Sequence, residues 1–185
     1  MTSTATQSLT LEDFLKLPET KPALEFINRK IVQKSIPQGE HSLLQGELCE
    51  ALNQVAKPQK ISRAFPELRC TFGGESIIPD VSVFRWDRIP VEPSGRVANR
   101  FEIYPDWAIE ILFPNQSQTK ILSNLLHCSQ YGTELGWLID PEEESILVIF
   151  LDQRLQLLRG TTSLPILNGT ALELTVEQVF SWLML

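Results

Sequence analysis

The chain has 185 residues, 43% of them apolar and 21% charged, a length and composition that fit one globular domain and exclude a disordered or fibrous chain. Sixteen Lys plus Arg against 23 Asp plus Glu give a net charge of −7, which excludes a protein that coats long nucleic acid by charge alone but not an enzyme holding acidic metal ligands in a cleft. No apolar run is long enough to span a bilayer and the opening residues carry no signal-peptide pattern, so a cytoplasmic protein without membrane contact is expected.

In chain order, residues 1–9 read as a frayed tail and 10–185 as a single domain. Thr10 and Asp13 have the spacing of a capping box before a short helix that Pro18 ends. Ala23 to Lys34 reads as a hairpin turning at Asn28-Arg29. From Gly39 to Ala56 the apolar residues Leu44, Leu48, Leu52 and Val55 keep to one helical arc. Ile61 to Ala64, Leu68 to Phe72 and Ile77 to Phe84 read as strands, the last two joined at Gly73-Gly74. A loop spans Asp87 to Pro105, and Trp107 to Phe113, an almost wholly apolar run, reads as a strand covered on both faces. Asn115 to Ser117 are capping residues for a helix from Thr119 to Tyr131 that stops at Gly132. A strand at Leu135 to Ile139, a hairpin of Ile146 to Leu151 with Leu155 to Arg159, and a helix from Val176 to Leu183 complete the pattern. This alternation is α/β in character, mixed α+β, with a central mixed sheet flanked by helices.

The sequence contains no phosphate-binding P-loop, no GxSxG elbow and no HExxH pair. The three cysteines, Cys49, Cys70 and Cys128, lie far apart and read as reduced structural thiols. What remains is carboxylates in costly places. Glu110 interrupts the covered strand, where an ionised acid must be paired, protonated or bound to a metal. Strand alternation puts it on one face with Ala108 and Leu112. Asp80, after Ile77-Ile78-Pro79, begins an apolar strand, where a carboxylate reaches a cleft without being deeply buried. The alternatives are a strand-end glutamate that meets solvent or an arginine, and a turn aspartate.

Pro79-Asp80, an acid thirty residues later in a buried strand, and then a helix form the arrangement of the PD-(D/E)XK nucleases. The stretches PALEFINRKIV, PQGEHSLLQGELCEAL, IIPDVSVF, DWAIEILFPNQS and QYGTELGWLIDPEEESILVIF resemble, in order and spacing, the Uma-type restriction-endonuclease-like family, which is abundant in cyanobacteria. The resemblance covers roughly residues 10–183. It implies a restriction-endonuclease-like fold and a Mg²⁺-dependent endonuclease acting on DNA, with Mn²⁺ as the alternative ion.

Carried over by position, Asp80 and Glu110 are the metal ligands. The superfamily's lysine is missing, since Leu112 stands at its usual place. The register in which that lysine has moved to the following helix falls on His127, and Lys120, seven residues earlier, is the other candidate. Glu25 matches an acid in the family's opening hairpin and is expected as a third catalytic carboxylate, and His41 matches its histidine at the start of the long helix. Glu47 is a weaker acidic candidate. Arg85, Arg88, Arg96 and Arg100 are the local basic cluster expected to meet phosphates. A homodimer is expected, formed through the Ile146 to Leu158 hairpin. The competing reading is a catalytically inactive nuclease-fold module that binds or regulates.

Overall fold

The computed structural model describes residues 9–114 and 116–184. The tail expected over residues 1–9 therefore lies, up to Ser8, outside the described residues, as does Asn115, expected among the helix-capping residues.

Helix α1 (Leu11–Leu15) starts with the expected capping box, in which Thr10 and Asp13 satisfy each other's backbone N–H. Strands β1 (Leu24–Ile27) and β2 (Lys30–Gln33) pair antiparallel. Their two-residue turn puts Asn28 and Arg29 in the left-handed region at φ 50° and 60°, the geometry that matches the twist of a tight hairpin. Helix α2 (Gly39–Ala56) buries Leu44, Leu48 and Leu52, as its apolar arc requires.

Strands β3 (Ser62–Pro66), β4 (Cys70–Phe72), β5 (Glu75–Ile77) and β6 (Val81–Arg85) follow. Here the structure corrects an expectation, because Ile77 to Phe84 is not one strand. The chain breaks at Ile78-Pro79-Asp80, and β5 and β6 belong to different sheets. Pro79 has no N–H to give to a ladder, and the backbone groups around it serve other partners: the Ile78 N–H goes to Glu25 and the Asp80 carbonyl to Gln45 and Glu67.

After the loop come β7 (Trp107–Ile111), α3 (Gln118–Tyr131), β8 (Leu135–Asp140), β9 (Ser145–Phe150), β10 (Leu155–Arg159) and α4 (Val176–Ser181). Gly132 ends α3 at φ 119°, a left-handed cap that favours glycine. The central sheet is mixed, in the order β10-β9-β8-β7-β6-β3, with β7 and β8 parallel and joined through α3. A second, antiparallel sheet, β2-β1-β5-β4, lies beside it, a feature the strand pattern alone did not separate.

The faces of β7 sort as its alternation requires. Trp107, Ile109 and Ile111 pack with Leu44, Leu48 and Leu52 of α2 and Val176, Val179 and Phe180 of α4. Ala108 and Leu112 pack with Leu125 and Cys128 of α3. The central sheet is thus covered by α2 and α4 on one face and by α3 on the other, and Glu110 points to the α3 side. No helix among the described residues is long and apolar enough to cross a membrane.

Candidate active site

The register of β6 and β7 brings the two acids together. Val81 pairs with Ile109, so one more step along this antiparallel ladder puts Asp80 opposite Glu110. Both lie at the floor of a cleft of about 610 Å³. One wall is the cleft face of the β1–β2 hairpin, with Glu25, Ile27, Lys30, Val32 and Lys34; the other is the start of α3, from Gln116 to Asn124.

Asp80 is 2% exposed and Glu110 3%. Asp80 Oδ2 accepts a hydrogen bond from the Ile111 N–H at 2.7 Å and lies 3.0 Å from His41 Nε2. Its Oδ1 meets the Lys34 ammonium at 2.7 Å, and the same ammonium lies 3.7 Å from Glu110 Oε2. Lys34 also donates to the Ile78 carbonyl at 2.7 Å. Glu25, 6% exposed, accepts from the Ile78 N–H at 2.7 Å. One partly buried lysine therefore lies among three carboxylates.

The electrostatics follow from this crowding. Burial would raise the Asp80 carboxyl, but Lys34 and His41 outweigh it and hold the group down at about 2. Burial pushes Glu110 well above the ordinary glutamate range, and Asp80 and Glu25 add to the rise while Lys34 opposes it. Glu25 is raised by burial as well, against the pull of Lys34. Burial alone would lower Lys34, yet Glu110, Asp80 and Glu25 together carry it above the ordinary lysine value. At neutral pH it is an ammonium, a donor and a source of positive charge rather than a base.

Of the residues expected at the site, Asp80, Glu110, Glu25 and Lys120 line this one cleft. His127 is not brought to it. Its ring stacks on Phe72 at 5.1 Å, with Nδ1 3.7 Å from Glu75 and Nε2 3.4 Å from the Phe72 carbonyl. The reason is position along the helix axis: His127, seven residues after Lys120, lies on nearly the same face of α3 but about two turns, roughly 10 Å, further along, where it meets the β4–β5 hairpin instead of the cleft. His41 reaches Asp80 from behind, its ring stacked on Phe113 at 4.3 Å. Glu47 does not line the cleft, nor do Arg85, Arg88, Arg96 and Arg100. Arg85 is spent on Glu134 and Arg88 on Asp106.

Lys34 and Asn124 were missed from the sequence. Lys34 was legible in principle. With the turn at Asn28-Arg29, Glu25 pairs with Val32, and Lys34, two residues on, shares that face as a diagonal neighbour of Glu25. Asn124, buried and four residues after Lys120 on α3, carries no such mark in the sequence.

A mixed sheet with α3 crossing between parallel β7 and β8, and two acids facing each other at the neighbouring ends of β6 and β7, defines a restriction-endonuclease-like protein. The chain belongs to the Uma2 family, described as "Putative restriction endonuclease", whose model matches residues 11–177. It is also similar to a crystal structure of a "putative nuclease belonging to DUF820" from Anabaena variabilis ATCC 29413, with a TM-score of 0.93 and 51% sequence identity over 95% of this chain and 99% of that one. No curated protein matches the sequence.

Proposed function

We propose that the chain is a Mg²⁺-dependent endonuclease that hydrolyses DNA phosphodiester bonds, with Asp80 and Glu110 as metal ligands and Lys34 in place of the lysine absent at position 112. The observation that carries this reading is the ammonium of Lys34 within 2.7 Å of Asp80 and 3.7 Å of Glu110 at the floor of an open cleft. Facing carboxylates that share a cation form a place for positive charge.

The donor set supports the choice of ion. The donors that face each other at the cleft floor are two carboxylates, Asp80 and Glu110. Mg²⁺ commonly takes one or two carboxylates and completes its shell with water and substrate phosphate, which fits a hard-oxygen pair and less well a softer ion that needs a full protein cage. When bound, the ion would polarise the phosphate and lower the pKa of a coordinated water.

The chain's own residues have separable tasks in this reading. Asp80 is held rigid by the Ile111 N–H and His41, so its Oδ1 stays aimed at the cleft. Burial raises the Glu110 carboxyl, and a cation arriving in the cleft favours its charged form. Lys34, on the wall rather than on β7, holds a positive charge beside the scissile phosphate and steadies the charge that develops there. Glu25 orders the bend at Ile78 and favours the charged form of Lys34. Lys120 lies at the rim of the cleft.

Calorimetric titration of Mg²⁺ and Mn²⁺ into the wild type, Asp80→Asn and Glu110→Gln tests this reading, followed by a cleavage assay on single- and double-stranded DNA. We expect binding and cleavage in the wild type and neither in the variants. A wild type that binds neither ion, with or without DNA, and cuts nothing would leave the second reading, an inactive binding or regulatory module. That reading is favoured by one observation: Lys34 already places a positive charge between the two acids.

The single-domain organisation over residues 10–185 and a cytoplasmic location remain part of the proposal. So does a homodimer, now assigned to β10 rather than to the whole hairpin. Ile146, Val148 and Ile149 are buried, whereas β10 is a sheet edge with Leu155 and Leu157 exposed, and an unpaired apolar edge is a surface for strand addition. Light scattering on the wild type and Leu157→Lys checks it; an unchanged mass would remove β10 from the interface.

A further inference from the structure

The charge lining the cleft is unlike that of the rest of the molecule. Where the chain as a whole carries a surplus of acids, the cleft among its described residues has three carboxylates, Glu25, Asp80 and Glu110, matched by three lysines, Lys30, Lys34 and Lys120. A second cleft of about 800 Å³ lies on the other side of Phe113. It is lined by Glu40, Asp140 and Glu142 and by no lysine or arginine. A polyanion is therefore admitted by the first cleft and repelled by the second.

The three lysines are not equivalent. Lys34 is partly buried near the floor, paired with Asp80. Lys30 and Lys120 are exposed and stand on opposite walls, Lys30 at the start of β2 and Lys120 in the first turn of α3. Lys30 and Val32 on β2 and Lys34 just past its end share the cleft face, so at about 3.3 Å per residue Lys30 stands roughly 13 Å from Lys34 along the strand direction. Across the cleft, α3 begins at Ser117, whose side chain makes no cap hydrogen bond. The first-turn amides therefore lie at the same wall as Lys120 without a side-chain acceptor from that residue.

We propose that Lys30 and Lys120 form a two-walled clamp for the backbone phosphates of a nucleic-acid strand, flanking the phosphate that sits over Asp80 and Glu110. This rests on the nuclease reading above and adds to it the path of the substrate. The strand runs through the cleft between β2 and α3, and the Arg85 to Arg100 loop lies off that path. Both lysines bind through charge, so their contribution is independent of base sequence and falls with salt.

The test is DNA binding by the full chain in EDTA, followed by fluorescence anisotropy with short labelled DNA, single-stranded and duplex, over a range of NaCl. Lys30→Ala and Lys120→Ala should each reduce the slope of log K against log salt by about 0.7 for single strands or 0.9 for duplex, and the double variant by the sum. Arg96→Ala should leave the slope unchanged. In Mg²⁺ the two lysine variants should raise KM several-fold with little change in kcat. A wild type that binds or cuts DNA, with lysine variants matching it in slope, affinity and KM, overturns the clamp and leaves the nuclease reading standing. A wild type that neither binds nor cuts DNA removes the nuclease reading and the clamp with it. A slope that moves with Arg96→Ala and not with the lysines places the strand on the loop and also overturns the clamp.

Discussion

Strand β7 is flanked by buried acids at both ends, and they are handled in opposite ways. Asp106, just before Trp107, accepts from the Arg85 N–H at 2.7 Å and is paired with Arg88. Arg88 is held in turn by the Tyr104 carbonyl and packs over the Tyr104 ring. This acid has its own arginine. At the other end Asp80, Glu110 and Glu25 share a single lysine, and one of them is pushed far from its ordinary ionisation. A structural carboxylate is matched by a dedicated cation, whereas a group of carboxylates with fewer cations than charges holds capacity for another positive ion.

The sharpest way to break this comparison is to remove a cation or an acid from each end. Asp106→Ala leaves Arg88 without its partner and the Arg85 N–H without an acceptor, and should cost about 4 kcal/mol in denaturant unfolding. Metal binding by the fraction that remains folded should be unchanged; its loss would mean that the two ends are coupled through β7. Lys34→Met should cost less, about 3 kcal/mol at neutral pH, because the acids it leaves can take up protons. The same measurement on acidification should show the deficit shrinking, and added Mg²⁺ should restore part of the melting temperature. A deficit that is constant with pH would mean that Lys34 acts through packing alone.

The two facing acids carry opposite pH signatures. Asp80 is held at about 2 against 3.8 in the unfolded chain, so its contribution to stability is present above 3.8 and is lost as pH falls toward 2. Glu110 is raised above 4.5, so stability is lost as pH climbs from 4.5 through its folded value, where the unfolded chain has released a proton that the folded chain retains. Glu110→Gln, measured in EDTA, should therefore match the wild type at acid pH and exceed it by about 1 kcal/mol near neutrality, while Asp80→Asn should be the less stable there. Equal pH profiles for the two variants would contradict the assigned ionisation.

How far the sequence disclosed this site depends on the kind of signal each residue leaves. Glu110 was legible because a charge inside WAIEILF violates the pattern of a covered strand, and Asp80 because it starts an apolar run after a proline. The hairpin, the long helix and the presence of strands in the central region follow from period and turn chemistry. The division into two sheets was not visible, since Ile77 to Phe84 carries apolar residues on both sides of Pro79-Asp80 and only the bend there separates its halves. Lys34 was hidden for a different reason. A lysine at a strand end is the commonest of surface residues, and its burial depends on the second sheet folding over the ends of β6 and β7. Arg85 and Arg88 misled in the converse way, because a cluster of arginines in sequence says nothing of the acids, Glu134 and Asp106, that claim them in space.

The smallest effect separates the two histidines, which by local environment look alike. Each stacks on a phenylalanine, His41 on Phe113 at 4.3 Å and His127 on Phe72 at 5.1 Å, but only His41 touches an acid of the cleft. His127→Ala removes ring contacts with Phe72 and Tyr131 and the long contacts to the Phe72 carbonyl and Glu75, which should cost about 1 kcal/mol with metal affinity and cleavage rate unaltered. His41→Ala removes a partner of Asp80 Oδ2 and should weaken Mg²⁺ binding measured by calorimetry, although the ring need not touch the ion. If His127→Ala were the variant that lost metal binding or cleavage, the register placing the missing cation on α3 would be right, and Lys34 would be only the counterion of a folded acid pair.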